Sequence, residues 1–80
     1  MKTKLLFSTE TNDMEIGIDL PFIPRINEWF NVKDILKAEE MEYIKKSAHC
    51  WSGVRGTVQS VEYCKDEEGF YAEVYVWCED

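Results

Sequence analysis

The sequence predicts an α+β, mostly β fold: a curved antiparallel sheet of about five strands, with one helix inserted before the C-terminal hairpin. Apolar and polar residues alternate along residues 14–20, which is the period of a half-buried strand, and residues 70–77 place Phe70, Ala72, Val74 and Val76 on one face of a second strand. Between them, residues 34–47 contain no glycine or proline and are rich in helix formers. Because 80 residues support one hydrophobic core, we expect a single domain over residues 1–80.

The N-terminal part predicts a β-hairpin. Residues 2–8 form a first strand with Leu5 and Phe7 on one face, and residues 9–13 are rich in turn formers. The second strand is the clearest one in the chain, since every other residue is apolar. Its apolar face is formed by Met14, Ile16, Ile18 and Leu20.

The middle of the chain predicts a connector, a short strand and the helix. Pro21 and Pro24 end the second strand, and residues 28–32 form a third. The helix over residues 34–47 begins with a cap at Asn31 or Asp34 and breaks near Lys37. The residues expected to face the sheet are Leu36, Met41, Ile44 and Ala48.

The C-terminal part predicts a long hairpin, with strands over residues 54–63 and 70–78 and a charged turn ending in a glycine. Val58 and Val61 are both apolar but lie at positions of opposite parity. A β-bulge near residues 59–60 would place both valines on the same face of the sheet, and a bulge also bends a strand. We therefore expect a strongly curved sheet.

Residues 21–30 (PFIPRINEWF), followed by residues 56–63 (GTVQSVEY) and a final hairpin, resemble small uncharacterised bacterial and phage-type proteins with an SH3-like barrel. Asn27 stands where that pattern usually has glycine, and asparagine also enters left-handed conformations. The resemblance covers about half of the chain. It implies a partly open SH3-like barrel and carries no catalytic residues.

Composition and charge exclude several classes of protein. The formal net charge is −7, spread evenly over the chain, so no basic patch exists to neutralise phosphates. No apolar run approaches the roughly 20 residues of a membrane span, and the N-terminus has no apolar stretch typical of a signal peptide. We therefore expect no nucleic-acid or membrane partner and a cytoplasmic location.

The cysteines predict neither disulfides nor a metal site. Cys50, Cys64 and Cys78 are odd in number and evenly spaced, and no tight pair such as C-x₂-C occurs. Cys64 is expected near the hairpin turn and Cys78 at the far end, beyond the reach of one metal. Buried, small apolar residues are the simpler interpretation. We predict no catalytic residue, no metal ligand and no cofactor.

A stripe of aromatic residues on the last strand has two interpretations. Tyr71, Tyr75 and Trp77 share one face of that strand, and Trp51 is a further candidate for the same surface, with Trp29 elsewhere. The rings are core if the sheet is covered on both sides. They are a partner-binding or dimerising face if one side is open, because aromatic residues are favoured anchors of interfaces.

These patterns favour a non-catalytic protein-interaction or assembly module, with a protein partner or self-association. The alternative is a thiol- or zinc-dependent activity centred on His49 and Cys50, the only adjacent His and Cys in the chain. A minor alternative is an acidic inhibitor that mimics DNA. That function requires carboxylates arrayed on one face.

Overall fold

The computed structural model describes residues 2–10, 12–46 and 55–79. It contains five strands and one α-helix, and a 3₁₀ turn at Val32–Asp34 precedes the helix. In chain order the elements are β1 (Lys2–Ser8), β2 (Asp13–Asp19), β3 (Trp29–Asn31), α1 (Ala38–Lys45), β4 (Arg55–Asp66) and β5 (Gly69–Cys78). The predicted fold class is confirmed, including the position of the helix. Across the described ranges no helix has the length and apolarity to cross a membrane.

The strands form one sheet in the order β2-β1-β5-β4-β3. Both predicted hairpins are present, and β3 pairs with β4 in antiparallel fashion. The sheet is mixed rather than wholly antiparallel, because β1 and β5 pair in parallel. A tight turn forces the two strands of a hairpin to run in opposite directions. No turn joins β1 to β5, so these two strands can pair in parallel.

The core lies on one face of this sheet, which we call the inner face. Alternate side chains of each central strand point toward the inner face. Leu36, just before α1, and Ile44 of α1 cover this face. Met41 is partly buried against the same cluster, so three of the four residues predicted to face the sheet do so, while Ala48 lies outside the described residues. The strand residues of the core are Leu5 and Phe7 of β1, Val58 of β4, and Val74, Val76 and Cys78 of β5.

A β-bulge in β4 gives the sheet its curl. Val58 pairs with Val76, but the next pair joins Ser60 to Tyr75, so Gln59 is the extra residue. Beyond the bulge Val61 pairs with Val74, which returns an apolar side chain to the inner face. The bulge predicted near residues 59–60 is confirmed. Because bulges bend a strand, it suits the half-barrel into which the sheet curls.

The connector between β2 and β3 joins the ladder just before β3 begins. The Asn27 amide donates to the Val58 carbonyl (2.9 Å), and the Val58 amide donates to the Glu28 carbonyl (2.8 Å). Asn27 has a φ of 75°, a left-handed conformation that asparagine adopts more readily than most residues.

The helix begins later than the sequence predicted. The chain forms the 3₁₀ turn first and then breaks at Lys37, which is extended with a ψ of 162°. The predicted break is confirmed, but the predicted cap is wrong, since Asn31 precedes the 3₁₀ turn and makes no side-chain cap bond. The Lys37 amide instead donates to Oε1 of Glu40 (2.9 Å). A glutamate three residues after the cap position is the signal that locates this start.

The close packing of β4 against the core gives a stability prediction. A Cβ atom on Gly56 would lie 2.6 Å from Cγ1 of Val76 and 2.7 Å from Cγ2 of Val32. We expect Gly56→Ala to lower the free energy of unfolding by about 1–3 kcal/mol, the usual cost of overpacking a core. Urea denaturation of both proteins measures the difference.

Gly17→Ala is the matched control, because an added Cβ there meets nothing within 4 Å. It should change the free energy of unfolding by no more than about 1 kcal/mol in either direction. Equal stability of Gly56→Ala and the parent protein would contradict the packing of β4 against Val32.

Candidate functional site

Tyr71, Tyr75 and Trp77 lie on the side of the sheet opposite the core, which we call the outer face. They alternate along β5 with residues that are buried in the core, and each ring is itself only partly buried. The helix packs against the inner face, so the outer face points away from it. None of the three rings belongs to the core cluster. Trp51, the fourth residue predicted for this surface, lies outside the described residues.

Neighbouring strands extend this aromatic surface. Trp77 pairs with Thr57 of β4, and Thr57 pairs with Trp29 of β3, so both tryptophans lie on the outer face. Leu6 of β1 pairs with Tyr75 from the other side. Trp29 is 54% exposed. The outer face therefore presents aromatic rings on β5 and β3, with Thr57 of β4 between Trp77 and Trp29.

Two rings at opposite ends of the outer face carry cations of this chain. Nζ of Lys4 lies 4.7 Å from the centre of the Tyr71 ring, and the guanidinium carbon of Arg55 lies 4.9 Å from that of Trp29. Both distances are typical of cation–π contacts. In the part of the chain that the structure describes, no lysine or arginine lies over Tyr75. The same holds for Trp77, whose Nε1 donates to Oε2 of Glu79 at 2.5 Å.

Carboxylates lie between and beside the rings. Glu73 lies between Tyr71 and Tyr75 on β5, and its direct partner on β4 is Glu62, so two like charges face each other. Glu15 of β2 pairs with Leu6. The charge of Glu73, then partial burial, then the charges of Glu62, Cys64 and Glu15 raise the pKa of Tyr75. The carboxylates of Glu73, Glu62 and Glu15 therefore all act on the Tyr75 hydroxyl.

Lys4 of β1 is the direct neighbour of Glu73, but its Nζ lies over the Tyr71 ring. At the tip of the last hairpin, Lys2 pairs with Asp66 (3.5 Å) and with Glu68 (2.6 Å), so β1 partly neutralises the acidic run there. Among residues 2–10, 12–46 and 55–79, no lysine or arginine forms a salt bridge with Glu15, Glu62 or Glu73.

Cys64 differs from the buried, apolar residue that the sequence predicted. It is partly exposed, and its Sγ donates to Oε1 of Glu73 at 3.2 Å. This hydrogen bond, followed by desolvation and the charge of Glu73, raises the pKa of the Cys64 thiol. The prediction holds for Cys78, which is buried and whose thiol pKa is raised by burial to about 12. Cys50 lies outside the described residues.

Glu62, Cys64 and Glu73 form the one group of three potential metal ligands found among the described residues. Their ligand atoms lie within 4.8 Å of one another. Structural zinc sites use four ligands, so this group is one short of a closed site. The raised thiol pKa opposes the deprotonation that metal binding requires. Cys78 pairs with Gly56 at the far end of β5, well away from Cys64, as predicted. His49 and Cys50 lie outside the described residues.

An open cleft of about 370 Å³ adjoins the outer face beside Tyr75. Its lining combines this ring and the apolar side chain of Leu6 with two carboxylates, Asp13 and Glu15. Sequence reasoning found Tyr75 but missed the other three. Leu6 and Glu15 reach this position through the parallel pairing of β1 with β5, which no local pattern encodes.

Comparison with known proteins identifies no relative, since the chain matches no protein-family model, no curated protein and no solved structure. The outer face, an aromatic surface on which Glu15, Glu62 and Glu73 form no salt bridge with a described residue, is the candidate functional site.

The hydrogen bond between Cys64 and Glu73 gives a pH prediction. A raised pKa keeps the thiol protonated, so alkylation of Cys64 by iodoacetamide should reach half its maximal rate at a higher pH than for a free cysteine. Glu73→Gln should move that midpoint to lower pH, because it removes the negative acceptor. Peptide mapping by mass spectrometry resolves Cys64 from the other thiols.

Glu39→Gln on α1 makes the same change in net charge far from Cys64 and should leave the midpoint where it is. A midpoint for Cys64 below that of free cysteine would contradict the prediction. It would indicate an activated thiolate, as a thiol enzyme requires.

Proposed function

We propose that the chain is a non-catalytic protein-interaction or assembly module and that the outer face is its contact surface. The observation that carries this proposal is the position of Tyr71, Tyr75 and Trp77, which are spaced along one face of β5 and turned away from the helix. Tyrosine and tryptophan are favoured interface anchors because each combines a large apolar area with a polar group.

The proposed partner is a protein, and the proposed location is the cytoplasm. The net charge of −7 disfavours nucleic acids and anionic membranes. A relationship to small proteins with an SH3-like barrel also remains a proposal, supported by the bulged β4 strand and the left-handed Asn27.

Two alternative functions remain as predictions. The thiol- or zinc-dependent activity is centred on His49 and Cys50, outside the described residues. Cys64 gives it no support, since the thiol pKa is raised rather than lowered. The acidic DNA mimic needs carboxylates on one face. On the outer face they alternate with apolar rings, which favours contact with a protein.

Site-specific photo-crosslinking tests whether the outer face is a contact surface. Benzoylphenylalanine in place of Tyr75, expressed in the cells that naturally produce the protein, should give crosslinked products on irradiation, because the ring would lie within an interface. Denaturing electrophoresis and mass spectrometry separate a crosslinked dimer from a complex with a second protein.

The matched control places the same crosslinker at Tyr43, which is 54% exposed on α1. It should give few or no products. Absence of crosslinks at position 75, or equal crosslinking at positions 43 and 75, would contradict the assignment of the outer face as the interface.

A further inference from the structure

The chemistry of the outer face identifies a class of partner. We propose that the outer face binds an extended, arginine-rich segment of a partner protein, whose guanidinium groups stack on Tyr75 and Trp77. The guanidinium over Tyr75 also pairs with Glu62 and Glu73. This inference rests on the proposed function and adds the chemistry of the partner. It follows from the rings, the carboxylates and their spacing.

The rings already bind cations within the chain. Tyr71 carries Lys4 and Trp29 carries Arg55, at 4.7 and 4.9 Å from the ring centres. Tyr75 and Trp77 lie between those two rings, and no cation of the described residues covers them. A cation from a partner would form with Tyr75 and Trp77 the same cation–π contact that Lys4 forms with Tyr71 and Arg55 forms with Trp29.

The carboxylates of the outer face also favour a cationic partner. Glu62 and Glu73 are directly opposite each other on adjacent antiparallel strands, where like charges are destabilising. A planar guanidinium donates to two carboxylates and stacks on a ring at the same time, whereas a lysine ammonium acts as a point charge. Arginine therefore fits this cluster better than lysine.

The spacing favours an extended partner. Tyr75 and Trp77 are separated by one residue on β5, so their positions are about 6.4–6.8 Å apart along the strand. An extended segment presents every second side chain on one face at the same interval. The sequence Arg-x-Arg thus aligns with the two rings, and the cleft lined by Leu6, Asp13 and Glu15 can receive a third cationic side chain.

The same charges disfavour the other occupants. In a symmetric dimer through the outer face, the surface with Glu15, Glu62 and Glu73 would meet its own copy, and like charges would repel. Nucleic-acid phosphates would be repelled for the same reason. A positively charged segment is the occupant that relieves the excess negative charge.

Peptide titration of the full chain, uniformly ¹⁵N-labelled and followed by two-dimensional NMR at low salt, tests the inference. The ligands are blocked peptides of four Arg-Ser repeats, four Lys-Ser repeats and four citrulline-Ser repeats. We expect amide shifts in β5 and in β4 around Glu62. The arginine peptide should bind about two- to fivefold tighter than the lysine peptide, the ratio that a difference in cation–π contact gives. The uncharged citrulline peptide should not bind.

The double variant Glu62→Gln/Glu73→Gln should bind the arginine peptide at least about fivefold more weakly, since it removes two close charge pairs. It should unfold at the same or a higher urea concentration than the parent, because it removes a like-charge pair. Its matched control, Glu39→Gln/Glu42→Gln on the exposed side of α1, changes net charge equally and should keep the parent affinity.

Three results would overturn the inference: no shifts on the outer face with the arginine peptide, equal affinity for arginine and lysine peptides, or equal weakening by the control variant. If crosslinks still form at position 75, the proposed interface stands and only the class of partner is wrong. If crosslinks there are absent as well, the proposed function fails too.

Discussion

The alternation of side chains along β5 is the constraint on which both the core and the outer face depend. β5 lies at the centre of the sheet, hydrogen-bonded to β1 on one side and to β4 on the other. Ala72, Val74, Val76 and Cys78 are buried on the inner face, so the residues between them must point outward. A shift of one residue would move the rings into the core and the valines onto the surface. The packing of these small residues in the core therefore positions the aromatic stripe.

The bulge in β4 lets one strand place both Val58 and Val61 on the inner face, which a regular strand could not do. Val58 and Val61 both contribute to the inner face although they are three residues apart, because Gln59 is inserted between their pairs. The same shift in parity places Glu62 on the outer face, directly opposite Glu73. Without the bulge, Glu62 would point toward the core. The bulge that curls the sheet thus also places the carboxylates of Glu62 and Glu73 opposite each other.

Local patterns in the sequence predicted the features that depend on neighbouring residues. Alternation located the strands, the parity change between Val58 and Val61 located the bulge, and both hairpins follow from their turns. The parallel pairing of β1 with β5 could not be predicted, because it joins the two ends of the chain. The positions of Leu6 and Glu15 beside Tyr75 depend on that pairing and were missed with it.

The placement of charge on the outer face also bears on stability. A domain of this length has a free energy of unfolding of about 4–12 kcal/mol, and like charges in a direct cross-strand pair are destabilising. Glu62 and Glu73 form such a pair in a sheet whose alternation, bulge and turns are otherwise consistent with one fold. Local conflicts in a consistent structure concentrate at functional sites, where a ligand supplies the missing interaction. The conflict here occurs among rings that bind cations, so the positively charged partner that we propose would resolve it.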